Sequence, residues 1–355
     1  MARWPLFVPL GAAALLGIAI LLPQSALLTA ACAAALVAAV LAAVHHAEVV
    51  AHRVGEPYGT LVLALAVTVI EVALIVSMMV AGGPDKAPLA RDTIFSAVMI
   101  ICNGVVGLCL LVGGLRHREQ SFRVEGAGPA FAALVALSTL SLVLPTFTTT
   151  TPRATYSSSQ LAFAALASLA LWGVFVFVQT IRHRDYFLPQ VDPSNESVHA
   201  PPPSNGQALA SFALLLLSLA SVVGLAKVLS PRIEAAVTAA GAPEAVIGIA
   251  IAMLVLLPET WAATRAALEN RLQASMNLAL GSALASIGLT IPAVVAVSLL
   301  FHLPLVLGVD GKDLILMLLT FVVGAITLGS GRTSMMQGAV HLVIFAAFLF
   351  LALVP

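Results

Sequence analysis

The sequence predicts an all-α integral membrane protein of about eleven transmembrane helices, one N-terminal helix followed by two inverted five-helix repeats. Three observations lead there. Of 355 residues, 61% are hydrophobic and only 9% are charged, whereas a soluble domain carries about 25% charged residues. The apolar residues form long continuous runs, not the short alternating stretches of a membrane barrel. One polar linker then divides the runs into a group of six and a group of five.

The runs lie near 5–22, 25–51, 58–81, 93–115, 128–147, 160–181, 208–229, 245–268, 274–301, 313–330 and 333–354. A helix needs roughly 20 apolar residues to cross the hydrocarbon core. The first run follows Arg3 as a signal peptide would, but ten more runs follow, so it reads as the first transmembrane helix. Residues 182–207, RHRDYFLPQVDPSNESVHAPPPSNGQ, are rich in proline, serine and asparagine and read as a solvated cytoplasmic linker. The expected divisions are therefore 1–23 (N-terminal transmembrane helix), 24–181 (first five-helix repeat), 182–207 (linker) and 208–355 (second repeat). Tandem repeats with an odd number of spans must face opposite ways in the bilayer, as in many secondary transporters.

Orientation comes from Lys and Arg. With the N-terminus inside, Arg3, Arg53, Arg116, Arg118, Arg123, Arg182, Arg184, Arg265, Arg271 and Arg332 are cytoplasmic. Lys86, Arg91, Arg153, Lys227, Arg232 and Lys312 are then outside. Ten against six favours an N-terminus inside and a C-terminus outside. The 16 basic and 16 acidic residues balance, so no basic field exists to attract nucleic acid. Cys32, Cys102 and Cys109 lie in apolar runs without metal-site spacing and read as small buried hydrophobes.

Most acidic residues fall in loops or at helix ends, where water reaches them. Glu48, Glu71 and Glu259 do not. An acidic side chain at mid-membrane costs on the order of 2.5–3.5 kcal/mol. Such a residue persists where it faces a protein interior or a water-filled path. Glu71 sits in LALAVTVIEVALIVSMMV and Glu259 in IGIAIAMLVLLPETWAAT. Both fall in the second helix of their group of five, and no Lys or Arg lies at the same depth in any span. Two carboxylates without a basic partner make a hard, oxygen-only site suited to Ca²⁺. When the metal leaves, two facing carboxylates cannot both stay charged in a low dielectric, so they take up protons. One pair can thus alternate between cation and proton, which is the logic of a cation/proton antiporter. In this reading Glu71 and Glu259 are both the metal and the proton ligands. No cofactor is needed, and Ca²⁺ enters as transported substrate.

Neighbouring residues support that site. Pro258 removes an intrahelical donor from the Leu254 carbonyl and is the candidate helix break. Thr68 lies one turn before Glu71. The helix after each Glu carries small and polar residues, among them Asn103 in the first repeat and Ser282 and Ser286 in the second. Close helix packing explains many of the glycines and serines equally well. His45, Glu48 and His52 share a helix face at the end of the second span. They are candidates for proton entry or pH sensing, against the alternatives of a metal face or a plain interfacial helix end. His341 reads as a hydrogen-bonded core residue, and Ser330, Arg332, Thr333 and Ser334 as a polar turn.

At these residues the sequence resembles the calcium/cation antiporter superfamily, in particular its bacterial calcium/proton (ChaA-type) branch. The similar stretches are HHAEVVAHRVGEPYGTLVLALAVTVIEVALI, RDTIFSAVMIICNGVVGLCLLVGG, LLPETWAATRAALENRLQASMNLALGSALASIGLTIP and TLGSGRTSMMQGAVHL. The resemblance implies two inverted repeats, each giving one essential Glu, here Glu71 and Glu259, to a central cation site. Asn103 matches the Asn of the following helix, Ser282 and Ser286 fall in the corresponding helix of the second repeat, and Glu48 matches an acidic residue ahead of the first. Calcium/proton exchangers of that superfamily carry Gly-Asn three and four residues before each Glu. Here those places hold Val67-Thr68 and Val255-Leu256. Fewer oxygen ligands favour Na⁺ or K⁺, which the ChaA-type branch also exchanges. The substrates are therefore Ca²⁺ and H⁺, with Na⁺ and K⁺ open, in the inner (cytoplasmic) membrane of a bacterium. No obligate protein partner and no nucleic acid are implied beyond the lipid bilayer.

The alternatives fare worse. An intramembrane metal-dependent enzyme needs HExxH or paired catalytic Asp, and neither is present. A passive channel needs a ring of ligands or a filter loop. The sequence thus reads as a transporter and not an enzyme.

Overall fold

The computed structural model of the chain describes residues 4–22, 25–55, 58–152, 154–187, 203–241 and 243–354. Most of the linker (188–202), along with Arg3, Glu56 and Arg153, lies outside the described residues.

Helices α1 (Trp4–Leu21), α2 (Ala26–Val54) and α3 (Tyr58–Gly82) come first. α4 (Leu89–Met99) runs through a π-helical turn, Ile100–Val105, into α5 (Val106–His117). α6 (Val124–Ser138) passes through a second such turn, Thr139–Val143, into the short α7 (Leu144–Phe147). α8 (Ser158–Phe177) ends in a third, Val178–Arg182. Beyond the linker come α9 (Asn205–Ala239), α10 (Ala245–Leu268), α11 (Leu272–Phe301), α12 (Gly311–Gly329) and α13 (Met335–Leu353). Among the described residues, ten helical stretches are long and apolar enough to cross a membrane. α3 is the eleventh apolar run, with a core at Leu65–Val80.

Helix is the state that hydrocarbon permits, because every backbone N–H and C=O finds its partner within the same segment. The ends use side chains instead. Ser25 caps α2 by accepting from Leu28 N at 3.2 Å. Ser157 with Gln160 starts α8, and Ser334 with Gln337 starts α13, each as a reciprocal capping box. Phe163, Leu166, Leu300, Phe301 and Ile326 are exposed, as expected where the surrounding solvent is lipid and not water. The chain is an integral membrane protein.

The helices gather into two compact units. The first comprises residues 1–86 and 193–247, the second 87–192 and 248–355. In the first, α9 packs against α1, α2 and α3, and α2 against α1 and α3. In the second, α11 packs against α8, α6 and α4, α13 against α5, and α12 against α6.

The second unit also holds the structure's strands, which the hydropathy pattern does not suggest. β1 (Glu119–Ser121) pairs antiparallel with β2 (Arg332–Ser334), with Gln120 opposite Thr333. Three residues are too few for an alternation to register, and the sequence reading assigned Ser330–Ser334 to a polar turn. The pairing brings the loop after α5 and the loop before α13 to one face of the unit. His117 Nε2 donates to Leu268 O (2.9 Å), which puts the end of α10 on that face. Arg123 Nη1 donates to Asp185 O (2.7 Å), which adds the segment after α8. Arg116, Arg118, Arg123, Arg182, Arg184, Arg265, Arg271 and Arg332 thus lie toward one end of the second unit.

In the first unit, α1 is held to α2 by a specific bond. Pro9 lies inside α1 and has no N–H, so the Pro5 carbonyl loses its intrahelical donor. His46 of α2, 2% exposed, meets that carbonyl through Nε2 at 2.8 Å. Removing a partner from a buried polar group costs about 1–3 kcal/mol. His46→Ala should therefore lower the thermal midpoint of the purified protein. Pro9→Ala gives the Pro5 carbonyl an N–H of its own helix, so His46→Ala should cost clearly less in that background. Equal costs in both backgrounds would show that the bond does not hold α1.

Candidate functional site

Glu71 lies midway along α3 and is 4% exposed. Its helix neighbours Val67, Ile70, Leu74 and Ile75 are buried and apolar, and Thr68, one turn earlier, is buried too. A carboxylate in such surroundings cannot hold its charge without a counter-ion or a proton. Both residues belong to the first unit. So do His45, Glu48 and His52 on α2.

Glu48 and His52 are exposed and His45 is half-buried. The His45 ring packs against Trp4, with centroids 5.8 Å apart, and against His46 at 5.6 Å. The buried imidazole of this stretch is therefore His46, which ties down α1 and does not belong to the predicted face. Among the described residues no three His, Cys, Asp or Glu side chains come together as a metal site, so a zinc face at His45, Glu48 and His52 has no structural support.

Glu259, half-buried, lies in the second unit with Pro258, Asn103, Ser282 and Ser286. α10 continues through Pro258. This corrects the expectation of a helix break. What proline removes is one hydrogen bond, at the Leu254 carbonyl, while the turns on either side persist. Thr260 Oγ1 donates to Leu256 O at 2.7 Å and Thr264 Oγ1 to Thr260 O at 2.7 Å, so those hydroxyls serve their own helix. On α11, Ser286 is buried and Ser282, one turn earlier, is half-buried.

Asn103 is fully buried, in the π-helical turn between α4 and α5. Its amide is engaged at both ends. Nδ2 donates to Thr320 Oγ1 at 2.8 Å, and Oδ1 meets His341 Nδ1 at 3.1 Å. Sequence reasoning singled out Asn103 but not these partners, which come from α12 and α13.

Sequence reasoning also missed the residues that hold the end of the Glu259 helix. Gln120, in β1, is buried and donates through Nε2 to Ala267 O (2.9 Å) and Asn270 Oδ1 (3.0 Å). With His117 on Leu268 O, two side chains reach the last carbonyls of α10, and Ala267 O also accepts from Asn270 N at 3.1 Å. The start of α11 is held likewise. Gln273 Oε1 accepts from Arg123 N at 2.6 Å, and Gln273 Nε2 donates to Asn277 Oδ1 at 2.9 Å. Gln120 in a polar loop gives no contrast from which to infer burial. The nearest signal is Gly113, where a Cβ would collide with Gln120 Oε1.

Comparison with known proteins bears on this arrangement. The model of the sodium/calcium exchanger protein family matches residues 24–181 and 210–354. The chain is 50% identical over 338 residues to a protein of Sinorhizobium fredii named as the ionic transporter y4hA, covering 95% of this chain and 89% of that one. It is 37% identical over 309 residues to the sodium-potassium/proton antiporter ChaA of Escherichia coli, covering 86% and 83% respectively. Its fold is similar to that of native YfkE (TM-score 0.74, 19% identity, 99% of this chain and 100% of that one). It is also similar to the H⁺/Ca²⁺ exchanger CAX (TM-score 0.70, 15% identity, 98% and 88%).

The cap on α10 can be tested by a double-mutant cycle. Gly113→Ala should expel the Gln120 side chain, and Gln120→Ala should delete it. Each should lower the thermal midpoint by an amount equivalent to about 1–3 kcal/mol, and the double variant should be little worse than either alone. Additive losses would show that the two residues act independently.

Proposed function

We propose that this chain, which belongs to the sodium/calcium exchanger protein family, exchanges a metal cation for protons across the membrane by alternating access. Glu71 carries the reading: a buried carboxylate halfway along an apolar span, in a member of a cation-exchanger family. Glu259 is its counterpart in the second repeat. The two segments matched by the family model support the division into repeats at 24–181 and 208–355.

In the proposed cycle the two carboxylates bind the cation, and Thr68, Ser282 and Ser286 offer hydroxyl oxygens. Release of the cation leaves carboxylates that must be neutralised in low dielectric, and each accepts a proton. The neutral, protonated form and the cation-loaded form are then the two states that can be carried across. A doubly charged empty site is the costly state, and its cost couples the two fluxes. Loss of the Leu254 hydrogen bond at Pro258 frees a carbonyl lone pair one turn before Glu259, which suits a cation ligand. Glu48, His45 and His52, at the end of α2, serve as the proton-collecting face. With the N-terminus inside and the C-terminus outside, that face and the arginine-rich face are cytoplasmic in the inner membrane of a bacterium.

Ca²⁺ is the proposed substrate of first choice, since two carboxylates match a divalent charge. A second reading is a monovalent Na⁺ or K⁺/proton antiporter. It is favoured by Val67-Thr68 and Val255-Leu256, which leave few side-chain oxygens beside the glutamates, and by the 37% identity to a protein named as a sodium-potassium/proton antiporter.

Purified protein in liposomes with an imposed pH gradient discriminates the readings. Collapse of the gradient on adding Ca²⁺ alone supports the first, and collapse with Na⁺ or K⁺ but little with Ca²⁺ supports the second. Glu71→Gln and Glu259→Gln should each reduce exchange to the level of empty liposomes while insertion and folding persist. Full activity in either variant would remove the two-carboxylate mechanism.

A further inference from the structure

The second unit contains a buried polar chain that the exchange mechanism does not use. It links Asn103 of the π-helical turn to Thr320 and Thr327 of α12 and to His341 of α13. Asn103 and His341 are 0% and 1% exposed. Close packing of α5 on α13 brings them together. A Cβ at Gly107 would lie 2.9 Å from His341 Cβ, and one at Gly338 would collide with Leu111 N and sit 2.8 Å from Gly107 O. Small residues at both positions let the helices approach.

The hydrogen-bond directions follow from the chemistry of each group. Thr320 Oγ1 donates its proton to Leu316 O (2.8 Å), so toward Asn103 it can only accept. Asn103 must therefore turn Nδ2 toward Thr320, with the Met99 sulfur beside it at 3.9 Å. That turns Oδ1 toward His341, whose Nδ1 must carry the proton. The opposite ring nitrogen, Nε2, lies 3.1 Å from Thr327 Oγ1, a hydroxyl able to donate to it. With a neutral imidazole protonated at Nδ1, every member is satisfied. None of these partners is charged. The titratable groups on the elements packed against α13 are Cys102 and Cys109 within the span, with Arg116, His117, Lys312, Asp313 and Arg332 at the helix ends, where Lys312 Nζ donates to Leu351 O at 2.8 Å.

We propose that His341 is a positioning residue for exchange: a permanently neutral, Nδ1-protonated imidazole that fixes Asn103 and so fastens the helix after Glu71's to the last two helices. It rests on the exchange reading for its functional consequence, but its chemical state is independent of it. Asn103 then acts as a structural hub whose carbonyl is already spent, and His341 carries no transported proton. The one helix supplies the hub, and the two others, from the second matched segment, supply its fixings.

Two measurements on the full-length protein test this. Nitrogen NMR of ¹⁵N-histidine-labelled protein, with the His341 signals assigned by their loss in His341→Gln, should show Nδ1 protonated and Nε2 unprotonated from about pH 5 to about pH 9. An Nε2-protonated ring, or conversion to imidazolium within that range, would overturn the proposal. In the liposome assay, His341→Leu and Thr327→Val should lower the maximal exchange rate by about 10–100-fold, the loss typical of removing an outer hydrogen-bond partner. His341→Gln, whose amide both donates and accepts, should restore most of the rate with an unshifted pH profile. Loss of exchange in His341→Gln with the fold intact, or a displaced profile, would assign a transported proton to His341 and sink the positioning role. A wild-type protein inert to Ca²⁺, Na⁺ and K⁺ would sink the exchange reading instead, while the nitrogen shifts still decide the tautomer.

Discussion

Inside a bilayer a polar group cannot fall back on water, and this one constraint organises the molecule. Helices answer it for the backbone. Where a helix fails to answer it, a side chain from elsewhere does. Pro9 denies the Pro5 carbonyl a donor and His46 supplies one. At the last carbonyls of α10, His117 and Gln120 supply side-chain partners. The Asn103 amide, stranded between α4 and α5, collects Thr320 and His341. At the Pro5 carbonyl the tertiary contact exists because a local hydrogen bond is missing.

In the proposed exchange the carboxylates are the exception that the constraint makes useful. A hydroxyl or amide in an apolar span can be satisfied once and stay so. A carboxylate can be satisfied by a proton or by a cation, and the two options compete. The surrounding chain needs only to keep water out and to keep fixed positive charge away. Among the described residues, the ion pairs Arg265–Glu269, Arg271–Glu269, Arg91–Asp92 and Lys86–Glu244 lie at helix ends or in loops.

What could be read from the sequence follows the same logic. The spans were legible because hydrocarbon demands continuous apolar runs, and Glu71 because one acid in such a run has no ordinary reason to be there. Asn103 stood out likewise, but its partners lie up to 238 residues away and are chosen by how α5 meets α13. His341 was read as a hydrogen-bonded core residue, without any sign of what it bonds. Gln120 was invisible: a polar residue in a polar loop looks solvated until the end of α10 is placed above it. Pro258 was read as breaking its helix, yet α10 continues past it, since the flanking turns keep their own bonds.

The β1–β2 pair has a bearing on how the protein is made. Its first strand leaves the ribosome early and its second just before the final helix. At about 5–20 residues per second, the wait between them is on the order of tens of seconds. Throughout that time Glu119–Ser121 lacks its partner strand, and water takes the place of the β2 backbone groups. The pairing forms only when the segment just before the last helix has been made, so it is among the last contacts that the second unit gains.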